Sequence, residues 1–273
     1  DKTNGEIYKI QSGLMLTTRR LDRILAFDPA SGRLELEAGV TLAEILEAFA
    51  PRGWFLPVTP GTKFVSVGGA IAADVHGKNH HVAGCFGQHV AWLDLLLVDG
   101  SVLRCSPTEN PELFAATCGG HGLTGVVLRA AVDLTPMPSA HIRQETVKTA
   151  NLGEIRDAFE ASAAWTYSVA WIDCAARGAG LGRSLLMRGE HARVEELPQQ
   201  LRAAPLSLPP KGTLSVPLDF PSFALNPWSV KAFNALYYGK AGAGTTRTLV
   251  PYDSFFYPLD AVNEWNRIYG KRG

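Results

Sequence analysis

The sequence has 273 residues with 26 Lys+Arg against 26 Asp+Glu, so its formal charge is zero; hydrophobic residues make up 46% and charged residues 19%. That length suits one large unit or two domains, and the mixture is that of a globular chain able to bury a core. Balanced charge without a basic stripe excludes nucleic acid as the main partner. The longest apolar run, Val90 to Val98, is broken by Asp94 and is too short to cross a bilayer. Cys85, Cys105, Cys118 and Cys174 are scattered with no C-x-x-C pair, which reads as reduced thiols of a cytoplasmic protein rather than a disulfide framework. No signal peptide is visible, and the start at Asp1 rather than Met leads us to expect a natural N-terminus further upstream.

Residues 1–13 are polar and match no period. Ile24–Phe27 and Leu34–Glu37 flank the turn-rich Asp28-Pro-Ala-Ser-Gly32 and predict a β-hairpin. Thr41 and Glu44 have capping-box spacing ahead of an apolar stripe, Leu42, Ile45, Leu46 and Phe49, so a helix is predicted, ending at Pro51-Arg-Gly53. Glu35, Glu37 and Glu44 read as solvated faces. A short strand is expected from Trp54 to Val58. Val90–Val98 and Ser101–Cys105 form a second hairpin about Asp99-Gly100. Pro111–Thr117 reads as a short helix and Val126–Leu134 as a strand. Thr135-Pro-Met-Pro138 looks like a domain boundary, giving units 1–136 and 137–273. Beyond it come a strand at His141–Thr149, a helix capped by Asn151 and Glu154, and strands near Tyr167–Asp173 and Arg183–Arg188. The Pro- and aromatic-rich stretch 205–244 shows no period and receives no assignment.

Residues 59–89 form a long Gly- and His-rich stretch with few large apolar side chains, and loops of this length are more often functional than idle. Glycines 61, 68, 69 and 77 allow backbone to approach a ligand, and exposed N–H groups at such turns, or at a helix starting from Gly69, hold diphosphates. An empty surface loop is the competing reading, and no G-x-G-x-x-G fingerprint is present. His76, His80, His81, His89 and Cys85 raise the alternative of zinc, but their spacing implies no common face, so no metal site is assigned. His81 and His89 are expected to hydrogen-bond loop backbone. His76 and Lys78 flank Gly77, where a donor and a cation both reach one ligand edge. No G-x-S-x-G marks a nucleophilic serine. Trp165, Tyr167 and Trp171 alternate as a strand does, which also suits core or interface.

Val67-Gly-Gly-Ala-Ile-Ala-Ala-Asp-Val-His-Gly-Lys-Asn-His-His81, together with Gly119-Gly-His-Gly-Leu-Thr-Gly125, resembles the FAD-linked oxidases of the vanillyl-alcohol-oxidase type. Ala170-Trp-Ile-Asp173, Phe256-Tyr-Pro-Leu-Asp260 and Glu264-Trp-Asn-Arg-Ile-Tyr-Gly270 extend the resemblance, over nearly all of residues 14–273, to the decaprenylphosphoryl-ribose oxidase branch. V-G-G-A-I-A marks the broad superfamily; H-G-K-N-H-H and E-W-N-R-x-Y-G are specific to the branch.

The resemblance implies an α+β fold: a PCMH-type FAD-binding domain with an antiparallel-sheet substrate (cap) domain. It implies that Gly61, Ser66, Val67, Gly68 and Gly69 line the pyrophosphate and ribityl chain of FAD. His76, Gly77, Lys78 and Asn79 would lie near the flavin and substrate entrance, Val127 near the adenine, and Trp171 and Tyr269 on the substrate side. His76 and Lys78 are the residues expected to support catalysis, with Lys78 facing a substrate phosphate as a point charge. The implied reaction oxidises the C2′ hydroxyl of a polyprenyl-phosphate-linked ribose to the keto sugar, as the oxidase half of an epimerisation to arabinose. A short-chain reductase partner, and a cytoplasmic location with peripheral membrane association, follow from the same likeness. Other sugar, alditol or lactone oxidases, and a non-catalytic flavin or zinc module, stay open.

Two departures stand out. The first phosphate-binding loop of the family is absent before the Ile24 hairpin, so a segment is expected to be missing between Gly13 and Leu14. The family also continues beyond the equivalent of Gly273, and its usual catalytic lysine lies there, so the chain is expected to be incomplete.

Overall fold

The computed structural model describes residues 17–208, 212, 214–221, 223–242 and 244–272. The expected break between Gly13 and Leu14 lies outside the described residues. The chain divides into two compact units, 1–138 and 139–273; the sequence reading set the division at 136/137.

In the N-terminal unit, β1 (Ile24–Asp28), β2 (Arg33–Glu37), β4 (Val90–Leu96), β5 (Val102–Cys105) and β6 (Val126–Asp133) form an antiparallel sheet of order β1-β2-β6-β4-β5. β3 (Trp54–Phe55) lies apart and pairs with β7 (Thr135–Pro136). Leu34, Leu36, Leu93, Leu95, Ala130 and Val132 of the sheet are buried. Helix α1 (Leu42–Phe49) buries Leu42, Ile45, Leu46 and Phe49, the stripe that sequence periodicity marks. Its capping box is closed: Thr41 Oγ1 accepts the Glu44 N–H at 3.2 Å, and Glu44 Oε2 accepts the Thr41 N–H at 2.7 Å. Such a cap contributes about 1 kcal/mol.

Charges of alternating sign run across one face of this sheet. Arg23 donates to Glu37 at 2.7 Å; Glu37 sits opposite Arg129, and Arg129 opposite Asp94. Asp94 takes Arg129 at 2.9 Å and Arg104 at 2.6 Å, and the Arg104 guanidinium lies 3.7 Å from the Trp92 ring centre. Glu37 is therefore buried, at 4% exposure, and not a solvated residue as its sequence position suggests. Arg23 holds it through both its guanidinium and its backbone N–H.

Three further expectations change. The strand at Trp54 stops after Phe55, because Pro57 lacks the N–H a longer ladder needs. Thr135–Pro136, in the stretch read as a domain boundary, also pairs with β3, and Met137 N–H donates to Gly53 O at 2.7 Å. Residues 59–89, read as a loop with room for a helix starting at Gly69, hold more regular structure than that. They hold α2 (Val67–Ala72), α3 (His80–Ala83) and a short 3-10 turn at Phe86–His89. Helices this short, one of them glycine-rich, leave no periodic signature. Between them in the chain and β7 lies α4 (Pro111–Thr117), as the sequence predicts.

The C-terminal unit is built on an antiparallel sheet of order β12-β8-β10-β9: β8 (His141–Thr149), β9 (Tyr167–Ile172), β10 (Ser184–His191) and β12 (Thr245–Pro251). Glu145 of β8 faces Arg188 of β10 and Arg247 of β12 in register. It accepts from their guanidinium groups at 2.7 Å and 2.8 Å while only 4% exposed. Helix α5 (Leu152–Glu160), capped by Asn151 as predicted, contributes Ile155 to the core. α6 (Gln199–Arg202), a two-residue parallel pair of β11 (Leu214–Ser215) with β13 (Val262–Asn263), and α8 (Tyr252–Phe256) complete the unit.

The unassigned stretch holds α7 (Pro227–Lys240), fourteen residues capped by Asn226. Its amphipathicity is weak because Trp228, Phe233 and Leu236 are exposed while polar groups face inward. Asn234 donates to Asp173 Oδ1 at 2.6 Å, and the Tyr238 hydroxyl donates to Thr149 O at 3.1 Å. Among the described residues no helix is long and apolar enough to cross a membrane.

Candidate flavin site

Ser66 starts α2 by accepting the Gly69 N–H on its Oγ at 3.2 Å. Val67 and Gly68 N–H groups are tied to Val40 O and Ala38 O, both at 2.8 Å. Val67 is fully buried, backbone included, so it shapes the wall from behind and does not itself meet a ligand. A Cβ at Gly68 would stand 3.1 Å from Ala38 Cβ, so glycine lets the helix lie close against the end of β2 without crowding.

Above this contact lies a cavity of about 210 Å³, lined by Thr18, Ala38, Gly68, Ala72, Thr117, Gly122, Gly125, Val126 and Val127. That is below the roughly 300–1,000 Å³ of whole-ligand pockets, so it suits one portion of a dinucleotide. Its wall is largely small residues and bare backbone. Gly122 is held at φ +78°, and a Cβ there would meet no neighbour within 4 Å. These features fit a cofactor whose polar chain must approach the main chain closely. Of the residues named from sequence, Gly68 and Val127 line this cavity; Gly61 is exposed elsewhere on the loop. Ala38, Ala72, Thr117, Gly122 and Gly125 were missed as individual residues. The Gly119–Gly125 motif was the signal that pointed to the last two.

His76, Gly77, Lys78 and Asn79 form a second group. Asn79 is buried and donates through Nδ2 to Pro57 O at 2.7 Å. A Cβ on Gly77 would sit 2.8 Å from Thr59 O, so Gly77 lets the loop lie on the 57–59 backbone. Lys78 is half-buried, and loss of hydration pushes its ammonium pKa down to about 8. His76 is exposed. It bridges Cys85 through backbone, and its ring meets His80 edge-on at 5.5 Å between centroids. The His89 ring bonds Ala83 O at 2.9 Å. Among the described residues no group of three His, Cys, Asp or Glu is placed to hold a metal ion.

In the C-terminal unit the Trp171 ring packs 4.9 Å from Tyr237 of α7, and the exposed Tyr269 packs 6.0 Å from Trp265. No described contact joins Trp171 to Tyr269.

Residues 3–106 match the FAD binding domain family. Together with the mixed α+β fold and antiparallel sheets, that match makes FAD the cofactor. Over its whole length the chain is 39% identical to decaprenylphosphoryl-beta-D-ribose oxidase of Mycolicibacterium smegmatis, of which it spans 60%. It is 40% identical over 63% of its length to an uncharacterized protein in the mprA 5′ region of Streptomyces coelicolor, spanning 47% of that protein. Against L-gulonolactone oxidase of Bos taurus it is 31% identical over 53% of its length, spanning 32% of that enzyme.

Proposed function

We propose that the protein to which this chain belongs oxidises the C2′ hydroxyl of a polyprenyl-phosphate-linked ribose to the keto sugar, as the oxidase half of an epimerisation to arabinose. The reading is supported above all by the 39% identity to decaprenylphosphoryl-beta-D-ribose oxidase along the entire chain. The lactone oxidase likeness covers only about half of it.

FAD, when bound, would supply the acceptor for the hydride that leaves the sugar carbon, while the hydroxyl proton would pass to a protein base. Gly61, Ser66, Gly68 and Gly69 are proposed to line its phosphate and ribityl region by close approach, with buried Val67 supporting them from behind, and Val127 to line its adenine side. The Val67, Gly68 and Gly69 N–H groups are bonded to Val40 O, Ala38 O and Ser66 Oγ and so are not its phosphate donors. Lys78, with Gly77 and Asn79 beside it, is proposed to meet the substrate phosphate. Partial burial strengthens such a contact, because less water screens the ammonium. His76 is proposed to donate a hydrogen bond at the same edge, and Trp171 and Tyr269 to contact substrate. A short-chain reductase that reduces the keto sugar, and peripheral attachment to a cytoplasmic membrane face, belong to the same proposal.

The test uses full-length protein under anaerobic conditions. Bleaching of the flavin band by a polyprenyl-phosphate ribose, and not by a lactone or an alditol, is the expected result. Bleaching by a lactone or alditol alone would overturn the substrate assignment.

A further inference from the structure

Helix α2 ends in an unusual way. Asp74 N–H donates to Ile71 O and Val75 N–H to Ala70 O, both at 3.0 Å, the paired bonds that close a helix through a left-handed residue. That residue is Asp74, at φ +41°, where glycine is the usual occupant. An aspartate here is strained backbone that must be justified by its side chain.

The side chain has a partner on the far side of the loop. Asp74 Oδ1 accepts the Gly87 N–H at 2.8 Å, where the chain returns after His76–Asn79 and α3. Val75 O takes the Phe86 N–H at 2.9 Å, and His76 bridges Cys85, so the loop is pinched shut at its base. Gly87 has no room for a side chain: a Cβ would lie 2.9 Å from Cys118 Cβ and 3.0 Å from Asp74 Oδ1. The second glycine segment joins the same point. Gly119 N–H donates to Ile71 O at 3.0 Å and His121 N–H to Ala72 O at 2.8 Å, and a Cβ on Gly119 would touch Asp74 Cβ at 3.4 Å. Burial, and then the Asp74 charge, push up the thiol of Cys118, and the same two influences act on Cys85.

We propose that Asp74 is a positioning residue: its carboxylate clamps the base of the His76–Asn79 loop and fixes α2 against the Gly119–Gly125 segment. Gly68 and Ala72 on one side of this joint, and Thr117, Gly122 and Gly125 on the other, line the cavity. The inference rests on the reading that this loop and cavity serve flavin and substrate.

Two substitutions in the full-length holoprotein separate clamping from mere helix termination. Asp74→Gly suits the left-handed backbone better, so the melting temperature should hold or rise. Amide exchange across residues 75–89 should nevertheless quicken, the flavin circular dichroism change, and kcat/KM fall about tenfold to a hundredfold. Asp74→Asn keeps an acceptor oxygen and tolerance of the left-handed region, and should restore exchange and turnover to near wild type. Wild-type exchange and turnover in Asp74→Gly would overturn the proposal, as would an Asp74→Asn variant as impaired as Asp74→Gly. So would a melting temperature that falls in step with turnover, since Asp74 would then belong to the fold alone. If the wild-type protein took up no flavin, the functional reading would fail, while exchange at the Gly87 amide would still report on the clamp.

Discussion

Raising the pH from 7 to 9 should weaken the binding of a polyprenyl phosphosugar about tenfold, and the cause should be Lys78. Burial pushes this ammonium down to about 8. It is then about ten parts in eleven charged at pH 7 and about one part in eleven at pH 9. A phosphodiester holds its single negative charge throughout, so the lysine is the member of the pair that titrates. Binding an anion favours the charged lysine, so association takes up a proton above pH 8 and the apparent affinity falls by the charged fraction. The assay is a titration of the full-length flavoprotein with a 2′-deoxy analogue, which lacks the hydroxyl to be oxidised. Lys78→Arg keeps its charge across this range and should flatten the profile. Lys78→Met should be weak and flat. A wild-type affinity independent of pH, or a Lys78→Met variant that keeps the slope, would refute the reasoning.

Filling the cavity wall with Ala72→Phe should lower flavin content at least tenfold after purification, read from visible absorbance, while far-ultraviolet circular dichroism stays native. Wild-type flavin content would show that the cofactor does not use this cavity. Glu145→Gln should cost roughly 2 kcal/mol in urea unfolding, because the half-buried Arg188 loses its counter-charge; a midpoint within error of wild type would contradict this. Burial holds the His191 imidazole at about 4, well below its ordinary value. The unfolded chain therefore binds this proton first, and stability present above about pH 6.5 should drain away, by roughly 3 kcal/mol, as the pH falls toward 4. His191→Asn should lose that part of the acid dependence, measured as the difference between the two urea midpoint profiles.

Sequence patterning revealed the elements that carry a local signal. The Thr41/Glu44 box, the Asn151 cap and the two hairpins of the first sheet are recorded in residues a few positions apart, and the structure contains them. Non-local partners leave no such record. Helix α7 shows little stripe because Asn234 and Tyr238 meet polar partners 61 and 89 residues away, while large apolar residues stay outside. Glu37 looked solvated because nothing within its own strand announces Arg23. In the candidate site, glycine composition marked the right loop but not the reason for each glycine. Gly68 and Gly77 are fixed by Ala38 and Thr59, which no spacing rule connects to them. Asp74 was hidden for the same reason, since its partner lies 13 residues on across an irregular loop.

The row of opposed charges on the first sheet settles an ambiguity that greasy patterning leaves behind. Sliding one strand by two residues keeps every oily side chain pointing inward, so the core tolerates that error. The same slip between β4 and β6 would set Arg129 against Trp92 or Leu96 and leave Asp94, at 3% exposure, with Arg104 alone. Misalignment by two is thereby made costly, and the pairing of these strands keeps both buried carboxylates opposite arginine.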